Sequence, residues 1–201
     1  MTSAQPEGLL TDRPTLPVQS AEERREGFGE SEELFEAPRL EDGAAIWRLA
    51  RDSEVLDLNS SYSYLLWCRD FANTSLVARR PDDGAVLGFV TGYVRPERPR
   101  ALVVWQVAVG AAHQGRGLAG RMLDLLVDRT SAGTLPEAPD VLETTITADN
   151  SASIALFTAF ARRRGSEGGR LHGEVLFHDG LFPDGHEAEL LYRIPLAQQA
   201  A

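Results

Sequence analysis

The sequence predicts an α/β fold, a mixed sheet with helices packed on it, and three observations carry that prediction. Short segments rich in Val, Thr and aromatic residues recur at 74–79, 85–93, 101–109, 141–147, 174–178 and 189–194. Segments with apolar residues at helical spacing lie between some of them. A glycine-rich turn at 114–119 joins one strand to the helix that follows it. The order is strand, two helices, hairpin, strand, helix, strand, helix and two strands, which cannot close as a purely antiparallel sheet and implies helices on a mixed one.

Taken in order, residues 1–33 are rich in Pro, Glu, Ser and Gly with little apolar periodicity, and read as a disordered or loosely attached extension. Order is expected from a short strand at 34–40, where Pro38 suits a sheet edge. Asp42 reads as an N-cap for a helix carrying Ile46, Leu49 and Ala50. A second helix is expected to follow, capped by Asn59 or Ser60, with Tyr62, Leu65 and Leu66 on one face. Strands at 74–79 and 85–93 flank the turn Pro81-Asp82-Asp83-Gly84 and form a hairpin. Arg95-Pro96-Glu97-Arg98-Pro99 separates that hairpin from the strand at 101–109. Helices follow at 118–128 and 151–161, with a strand at 141–147 between them. Residues 162–170 read as a basic loop, and the last two strands turn at Pro183-Asp184-Gly185. The folded domain is thus expected over 34–196, with a short tail at 197–201.

The chain has 201 residues, which suits one domain with a full hydrophobic core. Its 43% hydrophobic and 25% charged residues are ordinary for a soluble globular protein. A net charge of -10 argues against a nucleic-acid-binding surface; it would attract a cationic substrate, although acidity more often serves solubility. The single cysteine excludes an intrachain disulfide, and Cys68, inside Tyr64-Leu65-Leu66-Trp67-Cys68, reads as a small core residue. His113, His172, His178 and His186 lack zinc-ligand spacing, so no metal is expected. The N-terminus lacks a basic region followed by an apolar run, and the stretch 101–112 is too short to span a bilayer and contains Gln106. A cytoplasmic enzyme without a membrane partner fits these features.

The chemistry-bearing motif is Gly110-Ala111-Ala112-His113-Gln114-Gly115-Arg116-Gly117-Leu118-Ala119-Gly120-Arg121. Glycines at 115 and 117 let backbone N–H groups approach an anion without Cβ interference. The helix beyond them aims its N-terminal N–H groups and positive dipole end at the same point. Arg116 and Arg121 are suited to add charge-assisted contacts to a phosphate. An ordinary tight strand-to-helix turn would use the same glycines. The run matches neither a Walker loop nor the dinucleotide fingerprint.

With these residues the sequence resembles the GNAT N-acetyltransferase superfamily, whose Gln/Arg-x-x-Gly-x-Gly/Ala motif follows the fourth strand. Here it is Gln114-x-x-Gly117-x-Ala119. The resemblance covers roughly residues 36–195. It implies the GNAT fold, a central, mostly antiparallel mixed sheet in which strands four and five run parallel and splay apart. It implies acetyl-CoA as co-substrate, its pyrophosphate on Gln114, Gly115, Arg116, Gly117, Leu118, Ala119 and Gly120. Its pantetheine would lie along Val107, Ala108 and Val109, and its thiol end near Asn150. Further runs, above all Asp57-Leu58-Asn59-Ser60-Ser61-Tyr62 with Trp105-Gln106, Leu142-Glu143-Thr144-Thr145 and His186, resemble the branch of the superfamily that acetylates L-2,4-diaminobutyrate at its 4-amino group during ectoine biosynthesis. That branch is typically homodimeric, which makes a homodimer the expectation.

Such a site must hold one carboxylate and two amines and tell the amines apart. Asp57 is suited to pair with an ammonium or accept a proton, or else to cap the second helix. Asn59, Ser60 and Tyr62 are suited to bond the amino-acid end, and Tyr62 also to help the leaving thiolate. Trp105 offers an apolar wall with an N–H, or is a core residue. Glu143 is suited to orient or deprotonate an amine, or faces solvent beyond the sheet. An attacking amine must be neutral, yet its free pKa lies near that of lysine, about 10.4, so a base is needed. His186 has a fitting intrinsic pKa of about 6.5, and Asp57 and Glu143 would serve if desolvated; a loop histidine is otherwise simply solvated. Many members of the superfamily place a tyrosine acid on the helix after the fifth strand, where this chain has Phe157. Another amine acceptor on the same fold, or an acyl-CoA-binding sensor without catalysis, are the competing readings.

Overall fold

A computed structural model of the chain describes residues 33–165 and 171–196. The extension expected at 1–33 lies outside them except for Glu33, as do the tail at 197–201 and part of the basic loop. The elements are β1 (Leu34–Glu36), α1 (Gly43–Asp52), α2 (Ser61–Asp70), β2 (Leu76–Arg79), β3 (Val86–Arg95), β4 (Arg98–Val109), α3 (Leu118–Arg129), β5 (Val141–Thr147), α4 (Ser151–Arg163), β6 (Gly173–Phe177) and β7 (Glu189–Pro195). They form a seven-stranded sheet in the order β1-β2-β3-β4-β5-β7-β6. Only β4 and β5 are parallel; every other neighbouring pair is antiparallel.

Strand alternation sorts the apolar residues onto two faces. Leu76, Ala78, Val90, Leu102, Leu142 and Ile194 meet α3 and α4 through Leu123, Leu126 and Phe160 in the larger cluster. Val77, Phe89 and Ala108 meet α1 and α2 through Ile46, Ala50, Tyr64 and Cys68 in the smaller one. Cys68 is buried there, and that burial pushes its thiol up to about 11. It therefore packs as a small apolar side chain.

One break in the alternation shapes the site. Gly92 faces Val104 and Thr91 faces Gln106, so Trp105 is the extra residue of a β-bulge in β4. Before the bulge Leu102 and Val104 point toward α3 and α4; after it Val107 and Val109 do. The bulge also turns Gln106 and Ala108 toward α1 and α2.

Several expectations are sharpened or corrected. Asp42 holds the N-cap position of α1, as expected, but its side chain makes no cap hydrogen bond there. Its carboxylate accepts from the Arg39 backbone N–H at 2.8 Å and takes a two-pronged contact from Arg79, 3.1 and 2.8 Å, locking β2 to the start of α1. Ser60, one of the two caps expected, does cap α2, accepting from the Ser63 N–H, so the Asp57 and Asn59 alternatives fall away. The first strand ends at Glu36, before Pro38. Residues 95–99 do not separate two elements: Arg95 pairs with Arg98 and the hairpin turns on Pro96 and Glu97 alone.

Candidate active site

The site begins where β4 and β5 part. They pair only over Ala101–Val104 and Val141–Thr144, so β4 beyond Val104 presents backbone groups to a gap rather than to a neighbour. Val107 lines this gap, while the side chains of Ala108 and Val109 turn to the two cores. At its open end stands the glycine turn. Gly115 and Gly117 adopt φ of +74° and +75°, and a Cβ on either would meet nothing within 4 Å. The turn is therefore open above both glycines, and Gly117 is the N-cap of α3. Gln114 donates its Nε2 to the Val109 carbonyl at 3.1 Å, folding the turn back onto the strand end. Leu118 buries its side chain in the core, which leaves its backbone to face the turn. Ala119 and Gly120 are half-buried on the first turn of α3. Arg121 gives Nη1 to Glu33 at 2.7 Å and lies over the Phe35 ring, so this guanidinium is already engaged. Arg116 is exposed beside the turn. Asn150 lines the gap while its Oδ1 caps α4, accepting from the Ser153 N–H at 3.0 Å.

The gap opens into a cleft of about 1040 Å³ on the side of the α1–α2 loop. Side chains from four separate segments meet there. Asp57 and Asn59 come from that loop, Trp105 from the bulge, Glu143 from β5, and His186 and Glu189 from the β6–β7 connection and β7. Gln106 ties the loop down: buried, it accepts from the Tyr64 hydroxyl at 3.0 Å and donates to the Asp57 carbonyl at 2.8 Å. Asn59 donates to the same carbonyl at 3.2 Å. Trp105 stacks on Trp67, ring centroids 4.6 Å apart, and forms an aromatic wall.

His186 stands 2.9 Å from Asp57 through Nε2 and 2.7 Å from the Glu187 carbonyl through Nδ1. A carbonyl only accepts, so Nδ1 carries a proton; the carboxylate also accepts, so Nε2 carries one too. The Glu187 carbonyl and then Asp57 raise the pKa of His186, consistent with an imidazolium. Both ring nitrogens of His186 are engaged by acceptors in this geometry, so neither is turned open toward an incoming amine. Glu189 is a carboxylate that sequence reasoning missed. Burial pushes its pKa up, and its Oε2 is buried without a hydrogen-bond partner. Its Oε1 lies 3.7 Å from His186.

Glu143 does not face solvent. Its side chain is 2% exposed and accepts from Arg95 at 3.0 Å and Arg193 at 3.1 Å, with Arg98 at 3.7 Å. Both of its oxygens are thus taken up by guanidinium donors, so its carboxylate is turned to Arg95 and Arg193 rather than left open to an incoming amine. Tyr62 and Ser60 do not line the cleft: Tyr62 is 65% exposed on the first turn of α2, and Ser60 is occupied as its cap. No group of metal-ligating side chains occurs among the described residues, and none of their helices is long and apolar enough to cross a membrane.

The profile of the Acetyltransferase (GNAT) family matches residues 41–161. The chain belongs to the acetyltransferase (GNAT) family. Among GNAT relatives, the L-2,4-diaminobutyric acid acetyltransferase of Streptomyces coelicolor is 59% identical over 161 residues, 80% of this chain and 91% of the relative. The enzyme of that name from Marinococcus halophilus is 43% identical over 162 residues, 80% and 88% of the two chains. A solved GNAT structure, diaminobutyrate acetyltransferase EctA from Paenibacillus lautus with L-2,4-diaminobutyric acid and coenzyme A, superposes with a TM-score of 0.71 at 32% identity, covering 85% of this chain and 99% of that one. The parted β4 and β5 and the turn before α3 are the GNAT features of the present chain. Phe157, on α4, lines the cleft and is buried in the core, so no proton donor stands at that position.

Glu189 and Gln106 escaped the sequence reading for different reasons. Glu189 lies within a strand whose alternation the sequence does show. Its facing toward the cleft depends on β7 inserting between β5 and β6. Gln106 is legible as a lone amide in an apolar run, a signal that it has buried partners.

Proposed function

We propose that this protein transfers the acetyl group of acetyl-CoA to the 4-amino group of L-2,4-diaminobutyrate, the acetylation step of ectoine biosynthesis, as a cytoplasmic homodimer. The observation that carries this reading is the composition of the cleft beside the parted strands: its lining holds Asp57, Glu143, Asp184 and Glu189 against Arg95 and the imidazole of His186. An acidic cleft with a single guanidinium suits a small molecule with two amines and one carboxylate. The named relatives and the substrate bound by the Paenibacillus enzyme support the same acceptor.

The donor would lie with its pyrophosphate on the backbone of 114–119 and the start of α3, and its pantetheine along the unpaired edge of β4. Bound there, it supplies a thioester carbonyl as the electrophile. Glu189 takes the proton from the 4-ammonium, a role suited to a carboxyl whose pKa burial has raised. The freed amine forms the C–N bond, the C–S bond breaks, and the second proton passes from the acylated nitrogen to the departing thiolate, so that coenzyme A is released as the thiol. A thiolate is a modest base, with a parent pKa of about 8.5, so departure without a side-chain acid at Phe157 is chemically reasonable. Asp57, held by Gln106 and paired with His186, receives the other ammonium, and the Trp105–Trp67 wall excludes water.

The test is thiol release from acetyl-CoA with diaminobutyrate, followed by identification of the acetylated nitrogen. N4-acetyldiaminobutyrate is the expected product. Far faster turnover of lysine or spermidine would overturn the acceptor.

A further inference from the structure

We propose that Arg95 is the carboxylate-binding and specificity-determining residue of the acceptor cleft, and that Glu143 is the positioning residue that holds it. This rests on the reading of the acceptor as a short diamino acid.

Arg95 ends β3 and is the only guanidinium in the cleft lining among the described residues. The other basic side chain of the lining, His186, is already paired with Asp57. Arg193 and Arg98 also approach Glu143, yet neither lines the cleft, and Arg193 gives Nη1 to Glu174 at 3.0 Å. Arg95 is 39% exposed, and its one contact among the described residues is Nη1 to Glu143. A guanidinium carries five N–H groups in a planar fork, so anchoring one leaves a donor edge for a carboxylate.

The position fits the size of the acceptor. Tyr93 pairs with Val103, Val103 with Glu143, and Glu143 with Arg193, so these four residues form one row across the sheet on the side opposite α3 and α4. Thr145 lies on the same face two residues further along β5, a step of roughly 6.6 Å, at the level where β4 and β5 have parted. That step is close to the span of an extended four-carbon diamino acid from carboxylate to terminal amine. The carboxylates Glu189 and Asp57 lie toward the parted end, with Glu189 opposite Thr147. A substrate anchored at Arg95 therefore directs its far amine toward Glu189 and the thioester. Diamines without a carboxylate would lack the anchor.

The test compares kcat/KM for diaminobutyrate with kcat/KM for 1,3-diaminopropane, which keeps both amines and lacks the carboxylate. Wild type should prefer the diamino acid. In Arg95→Met that preference should fall about 10- to 100-fold, because a charge-assisted contact is lost for one substrate only. Arg95→Lys should fall less, keeping the charge without the fork. In Arg95→Met the buried Glu143 retains Arg193 and Arg98, and should that variant fail to fold, Arg95→Lys carries the same ratio. An unchanged ratio, whether both substrates slow together or neither slows, overturns the assignment. A wild-type enzyme inactive on diaminobutyrate would instead overturn the acceptor itself, and the Arg95 assignment with it.

Discussion

The two ends of the cleft are built from different material. The proposed donor end is backbone: two glycines at positive φ, the first turn of α3 and the unpaired edge of β4. The proposed acceptor end is side chain: Asp57, Trp105, Glu143, His186 and Glu189, from segments up to 132 positions apart along the chain. A backbone site fails when a side chain distorts it, whereas a side-chain site fails one residue at a time. In the proposed reading the first kind recognises what all acyl-CoA donors share, and the second chooses the amine.

The largest expected effect tests the acceptor end. Glu189→Gln keeps the shape and removes the base, so kcat should fall by about 10²- to 10⁴-fold with Tm little changed. A raised carboxyl pKa leaves Glu189 protonated at acidic pH, so wild-type kcat/KM should decline as pH falls through a value above the usual ~4.3. That limb should vanish in the variant, and a limb that persists would assign the base elsewhere.

The donor end is tested by Gly117→Val. No atom obstructs the new side chain, but φ of +75° disfavours it by about 1–2 kcal/mol. The KM for acetyl-CoA should rise about 10-fold or more while the acceptor KM holds. A rise in the acceptor KM alone would break the division between the two ends.

Asp57→Asn should raise the acceptor KM by roughly 10-fold. Because Asp57 is 77% exposed, thermal stability should barely move. Tyr64→Phe probes the support behind it. The Gln106 Oε1 loses its donor, at a cost of about 1–2 kcal/mol, which calorimetry would read as a lowered Tm.

The smallest effect is the His186–Asp57 pair. The folded pKa of His186 is raised, so its contribution is full below about pH 6.5 and is lost as pH rises through the folded value. The Tm gap between wild type and His186→Asn should be about 1–3 °C at pH 5.5 and close at pH 9.

The legibility of the sequence follows the same division. Gly115 and Gly117 are visible as a local pattern, because a positive φ and a helix start are decided within a few residues. The sheet class and the strand at 141–147 are legible for the same reason. Glu143 shows the limit. Its neighbour Leu142 suggested a solvent-facing partner, but β7 on one side and the β3–β4 hairpin on the other bury it under Arg95 and Arg193. Tyr62 shows the converse, adjoining the polar run yet standing outside the cleft.

The sequence by itself determined the elements, their order and the donor turn, since each depends on backbone preference and short-range periodicity. Only the tertiary structure decided which carboxylate is clamped, which is paired and which is left with an unsatisfied oxygen. Those states depend on the distance between charges from remote segments and on their removal from water, and neither is written in local spacing.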